Sequence, residues 1–280
     1  MILIADCGSS KIDWCLVDGG KVVKQVFTIG MNAVMLTREE MSARISQELI
    51  PELHTFMPGI NAVYFYGAGC ISDDVCGNVA DAIRDNIAAA TIEVHTDLLA
   101  AARALCGRQP GIACILGTGS NSCYYDGNKI VDNVSPLGYI LGDEGSGAVL
   151  GKILVGNVLK NQLPADLCSK FLAEYDLDRL TIIKRVYREP QANRFLASLT
   201  PFLAHNIDRP EISMMVRGAF RDFFVRNVCQ YPGHTALPVN FIGSIAYYYR
   251  DTLREAAAET GCRIGTIIKS PMSGLIDYHS

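Results

Sequence analysis

Short apolar runs that end in clusters of glycine, serine and aspartate recur along this chain. They alternate with stretches whose apolar positions repeat at helical spacing. Residues 2–5 form the first such run, followed by Asp6-Cys7-Gly8-Ser9-Ser10, and the pattern then predicts strands at 14–17 and 21–27. Asp18-Gly19-Gly20 between those two runs signals a hairpin, because glycine accepts the positive φ of a tight turn. Beyond it the periodicity predicts a helix over 38–53, disturbed by Pro51, and a strand at 62–66. A helix over about 75–89, a strand at 91–94 and a helix over 98–105 follow.

The opening pattern then returns. An apolar run at 112–116 leads into Gly117-Thr118-Gly119-Ser120-Asn121, a strand at 122–125, the turn Asp126-Gly127-Asn128 and a strand at 129–131. Gly8-Ser9 answers to Gly119-Ser120, and Asp18-Gly19 to Asp126-Gly127, with a slightly shorter segment between loop and hairpin in the second copy. Two β-β-β units with a small-residue tip between their first two strands imply an internal duplication. A helix is expected over about 145–159, then a helical insertion over about 161–230. Within it Ile212, Met215, Val216, Ala219, Phe220 and Phe223 have the spacing of a core face. A strand at 239–242, a helix over 247–259 and a strand at 263–267 complete the second copy. Alternating strands and helices indicate an α/β protein of two similar lobes with a cleft between them. The boundary falls where Gly107-Arg108-Gln109-Pro110-Gly111 breaks both periodicities, so that the first lobe ends at 107 and the second begins at 108.

With 280 residues, 49% hydrophobic and 19% charged, the chain can fill two cores. A net charge of -4 without a basic cluster excludes the electrostatic footprint of a nucleic-acid binder. The first residues carry no export signal, and no stretch approaches the roughly 18 apolar residues of a membrane helix. Ten cysteines stand at scattered positions without Cys-x-x-Cys pairs, as expected of reduced thiols in a cytoplasmic protein.

Five constellations carry candidate chemistry. The two Gly/Ser/Thr tips, Gly8-Ser9-Ser10 and Gly117-Thr118-Gly119-Ser120, offer backbone N–H groups and hydroxyls to phosphates; the alternative is a pair of tight turns. Asp6, at the end of the first strand beside a tip, is placed to hold Mg²⁺ through water, or else caps a turn. Asp97 follows the strand at 91–94 at its carboxyl end, where open α/β sheets bind ligands. It reads equally as the base that takes a proton from an attacking hydroxyl and as a helix N-cap. The run from Gly138 to Gly147 has four glycines around Asp143 and Glu144, which suits a loop lining a polar pocket. Gly243-Ser244, after a strand and before a helix, suits the adenosine end of a nucleotide. Gly147 to Lys152 only superficially suggests a P-loop, since the glycine spacing is short and Ile153 stands where serine or threonine is needed.

Gly117-Thr118-Gly119-Ser120-Asn121 and Gly142-Asp143-Glu144-Gly145-Ser146, in that order and separation, resemble the N-acetylglucosamine kinase family. That family lies within the grouping that includes the dehydratase activator ATPases, in the actin, hexokinase and heat-shock chaperone superfamily. The resemblance implies two duplicated ribonuclease H-like, actin-like ATPase lobes, with ATP and Mg²⁺ as cofactors. It implies phosphorylation of an amino sugar's 6-hydroxyl, N-acetylglucosamine first among acceptors, and a homodimer. Gly8, Ser9, Ser10, Lys11, Thr118, Gly119, Ser120, Gly243 and Ser244 would then contact ATP, with Asp6 at the metal and Asp97 as the base. Asn32, Asn121, Gly138, Tyr139 and Asp143 would contact the sugar, together with Asp97 and Thr118, and the helix over 271–280 would pack on the first lobe, giving lobes of 1–107 plus 271–280 and of 108–270. The first loop carries fewer glycines than the commoner Asp-Gly-Gly-Gly-Thr form, and Tyr139 stands where some members have tryptophan. Two other readings use the same fold. A dehydratase-type activator ATPase would need cysteines such as Cys70 and Cys76 for an iron–sulfur cluster, and a sugar sensor would keep the pocket without catalysis.

Overall fold

The computed structural model describes all residues except Ser9 and Ser10, so the expectations at those two positions lie outside the described residues. The chain separates into two compact units. The first comprises Met1–Gln109, Gly127–Ile130 and Ser270–Ser280; the second comprises Pro110–Asp126 and Val131–Lys269.

The first unit holds strands β1 (Ile2–Cys7), β2 (Lys11–Asp18), β3 (Lys21–Ile29), β4 (Ala62–Gly67) and β5 (Thr91–Thr96), in the order β3-β2-β1-β4-β5. β1 pairs antiparallel with β2 and parallel with β4, and β4 pairs parallel with β5. As the central strand β1 is covered on both faces, which explains its unbroken apolar run. Leu3, Ala5 and Cys7 join one core, whereas Ile4 packs with Tyr66, Ala100, Met272, Leu275 and Ile276 in another. The helix Met272–His279 thus seals one face of the sheet. Its Gly274 lies so close to the helix Asp97–Cys106 that a Cβ would stand 2.3 Å from the Ala104 carbonyl oxygen. Tyr66 anchors the same contact, its hydroxyl 2.7 Å from both Arg103 Nη1 and His279 Nε2.

The second unit holds β6 (Gly111–Leu116), β7 (Ser120–Tyr125), β8 (Ile130–Asp132), β9 (Pro238–Ile242) and β10 (Arg263–Ile268), in the order β10-β9-β6-β7-β8. With β6 in the place of β1, this is the strand order of the first sheet, as the internal repeat predicts. Between the helix Gly147–Leu159 and β9 lie five further helices, from Ala165–Glu174 to Pro210–Arg226. On the last of these the predicted face is buried, with Met215 half-buried.

Some boundaries differ from the periodicity. The helix expected to reach residue 89 ends at Arg84, where the Asn86 side chain donates to the Ala82 carbonyl and to Ser42 and draws the chain off the axis. The region 38–53 is a helix at Arg38–Arg44, a π turn at Ile45–Leu49 and a short helix at Ile50–Leu53. Pro51 has no N–H to give, and the widened turn just before it absorbs the break. The helix expected over 247–259 is split at Tyr249 into Ser244–Tyr248 and Arg250–Glu259.

Candidate functional site

In the first unit β1, β4 and β5 run parallel, so their carboxyl ends bring Asp6, Gly67 and Asp97 to one end of the sheet. The tip between β1 and β2 is closed by the Gly8 N–H donating to the Lys11 carbonyl at 3.0 Å, while the Lys11 ammonium lies 4.6 Å from the Phe27 ring centre. Thr96, not Asp97, is the helix N-cap: its hydroxyl accepts from the Leu99 N–H at 3.1 Å. Asp97 is the first helical residue. Burial raises its pKa, opposed by the N–H groups of Leu98 and of its own backbone. Asp6 is pushed up to about 7, first by burial, then by the charges of Asp13 and Asp97, with Lys11 acting the other way. Asn32 folds its side-chain oxygen onto the Val34 N–H at 3.1 Å. Cys7 ties this segment to β1 through its thiol and the Met31 carbonyl, 3.2 Å apart. Gly8, Asn32 and Gly69 line one pocket of about 320 Å³, and Gly69, at φ +89°, keeps it open beside Val34.

In the second unit the tip between β6 and β7 is built into its surroundings. Gly117 N–H donates to the Gly119 carbonyl at 2.9 Å. The start of the helix Gly147–Leu159 bonds back to it, through Gly147 N–H to Gly117 and Ala148 N–H to Thr118. The Asp143 carboxylate accepts from the Ser120 N–H at 3.2 Å and presses against the Gly119 Cα, where a Cβ would lie 3.1 Å from Oδ2. Burial raises the pKa of Asp143 and the Glu144 charge adds to it, against the Ser120 N–H and Lys152. Gly243, at φ +118°, lies so near the end of β6 that a Cβ would stand 2.3 Å from the Leu116 oxygen, and Ser244 opens the next helix. Asn121 Oδ1 accepts from the Ser122 N–H and from the Asn133 side chain, both at 2.9 Å.

A solved structure from Porphyromonas gingivalis, a provisionally assigned N-acetylglucosamine kinase, is 48% identical, with a TM-score of 0.96, over 100% of this chain and 98% of that one. The chain belongs to the N-acetylglucosamine kinase family. A second provisionally assigned N-acetylglucosamine kinase, from Chromobacterium violaceum, matches at 19% identity and a TM-score of 0.75 over 100% of this chain and 98% of that one. A ROK family glucokinase from Streptomyces griseus, solved with glucose and AMPPNP, matches at 15% identity and a TM-score of 0.57 over 99% and 97% of the two chains. These two show the shared actin-like ATPase fold. No family model and no curated protein matches the sequence.

Within this N-acetylglucosamine kinase family chain, the first unit gathers Gly8 with Asn32 and sets Asp6 within electrostatic reach of Asp97. The second gathers Gly117 to Ser120 with Asp143 and Gly243. Tyr139 stands apart from that group: its ring packs on the core of the helical insertion, and its carbonyl accepts from the Lys152 ammonium at 2.7 Å. Asp13 escaped the sequence reading, and so did the partners of Glu144. Asp13 sits directly opposite Asp6 in the β1–β2 ladder, and its only signal is one acid within an apolar run. Glu144 is held by Arg226 Nε at 2.6 Å and by Asn227 at 3.3 Å, partners too distant in sequence to be inferred. Cys76 donates its thiol to the Cys70 carbonyl at 3.6 Å. Burial raises the pKa of both thiols, Cys70 to about 12, which opposes the thiolate form an iron–sulfur cluster needs.

Proposed function

We propose that the chain transfers the γ-phosphoryl group of ATP to the 6-hydroxyl of an amino sugar, with N-acetylglucosamine as the foremost acceptor. Membership of the family supports an ATP-dependent sugar kinase. The observation that carries the mechanism is the state of Asp97: Thr96 takes the capping role, and the Asp97 carboxylate stands half-buried at the carboxyl end of β5. A buried carboxylate with a raised pKa is a better proton acceptor than one in water.

In this reading the sugar's O–H proton passes to Asp97 as the oxygen forms a bond to the γ-phosphorus. The bond from that phosphorus to the bridging oxygen breaks, and its electron pair leaves with ADP. Asp97 then returns the proton to solvent. Gly8 and Lys11 of one tip and Thr118, Gly119 and Ser120 of the other supply donors to the phosphate oxygens, with Gly243 and Ser244 at the adenosine. Asn32, Asn121, Gly138 and Asp143 orient the sugar, and positioning supplies most of the rate.

Asp6 is the residue to hold Mg²⁺. Its raised pKa reflects burial and the repulsion of Asp13 and Asp97, and a cation would relieve that repulsion. Among the described residues no three ligating side chains group together, so the ion would keep waters and phosphate oxygens as ligands, as Mg²⁺ commonly does. Bound there, it would neutralise charge on the β- and γ-phosphates. Ten scattered cysteines without Cys-x-x-Cys pairs and an ATP-consuming reaction fit a cytoplasmic protein. The homodimer implied by the resemblance is checked by light scattering.

A panel of hexoses and amino sugars, screened for ADP release, tests the acceptor: N-acetylglucosamine should give the highest kcat/KM. Asp97→Asn should lower kcat by roughly 10²–10⁴-fold while sugar binding by calorimetry is retained. Near-normal turnover in that variant would overturn the assignment.

A further inference from the structure

The helical region of the second unit contains a groove of about 640 Å³ that the kinase reading leaves unused. Tyr139 and Ile140 form one wall, Ile183 and Tyr187 of the helix Arg179–Tyr187 another, and the helix Gly147–Leu159 the floor. The walls are apolar and in part open to solvent, with Ile140 73% and Tyr187 77% exposed. Its size is that of a small-molecule pocket.

Two further features give the groove a chemical preference. Its only charged lining groups are Lys152 and Lys160, and no carboxylate lines it. On the floor Gly156 sits in mid-helix, where glycine is a poorer helix former than alanine. A Cβ at that position would meet no atom within 4 Å, so the space above it is open.

We propose that this groove binds an amphiphilic anion, with a single apolar chain along the walls and a carboxylate or phosphate head at Lys152 and Lys160. Charge decides against a second copy of the chain as occupant. A two-fold contact would bring this cationic rim onto the same rim of its partner. Lys152 already donates to the Tyr139 carbonyl, and Tyr139 and Ile140 belong to the short helix Gly138–Leu141 that leads into Asp143. An occupant would therefore bear on the segment that holds the β6–β7 tip. The inference goes beyond the kinase reading and stands whether or not the acceptor is a sugar.

Calorimetric titration of the full chain with decanoate, with decyltrimethylammonium as the cationic counterpart, tests the proposal. Decanoate should bind saturably at one site per chain, and the cation roughly tenfold more weakly or worse. Gly156→Leu should fill the floor and weaken decanoate roughly tenfold or more, without lowering Tm, because leucine is the better helix former. Lys152→Met with Lys160→Met should remove the preference for the anion. The idea is overturned if decanoate shows no saturable binding, if both amphiphiles bind equally, or if Gly156→Leu leaves binding unchanged. Self-association of the wild type that Gly156→Leu abolishes would also overturn it, and would make the groove a contact between copies.

Discussion

Asp6 lies opposite Asp13 in the β1–β2 ladder, and burial is the main reason its carboxyl is pushed up to about 7. In the unfolded chain an aspartate titrates near 3.8. Below that value both states carry the proton and the contribution of Asp6 to stability is fully present. As pH rises toward 7 the unfolded chain ionises first, and that contribution is lost. The ligand-free protein should therefore lose stability across this window, and Asp6→Asn should flatten the slope. Urea unfolding of both proteins at several pH values between about 4 and 8 measures the difference, and parallel slopes would count against the burial of Asp6. The candidate roles of Asp6 and Asp97 were legible because each follows a strand and precedes a special turn or a helix. Whether Asp97 caps its helix was not, since Thr96 and Asp97 are both good caps and only the fold selects Thr96. Nor did the sequence reveal that one oxygen of the Asp143 carboxylate accepts from the Ser120 N–H, a contact made with Asp143 itself at φ +53°.

Among the elements, the helix Gly147–Leu159 shows how one residue type takes opposite parts. Gly151 is packed so tightly that a Cβ would stand 2.0 Å from the Leu196 carbonyl oxygen, where the helix Ala192–Ser198 crosses; Gly156, a turn and a half later, faces open space. Gly151→Ala should destabilise by about 1–3 kcal/mol, because backbone must move to admit the methyl. Gly156→Ala should stabilise by up to about 1 kcal/mol through helix propensity alone. Denaturation midpoints of the pair decide it, and shifts of the same sign would contradict the packing described. Strands were easier to read than helices here. Turn residues mark their ends, whereas the helix after β4 stops through the side chain of Asn86, which no local periodicity encodes. The π turn before Pro51 is the physical form of a disturbance the sequence announced without specifying.

At the level of the molecule, duplication was the most legible property, because the same order of runs, tips and turns is written twice and yields two sheets with one strand order. What could not be read was how completely the first unit depends on Ser270–Ser280, whose Met272, Leu275 and Ile276 cover Ile4 and Tyr66. Removing residues 270–280 should cost the first unit roughly 5 kcal/mol or more from lost apolar burial. In calorimetry the transition of that unit should shift down or vanish, and an unchanged thermogram would refute the sealing role.

That sealing also constrains the order of events during biosynthesis. The first sheet emerges from the ribosome early, yet the helix that covers its far face is translated only after the whole second unit. At ordinary elongation rates that is a delay on the order of ten seconds. Over that interval Ile4, Val17 and Tyr66 lack their native cover, which gives a nascent-chain chaperone a reason to attend this half of the protein first.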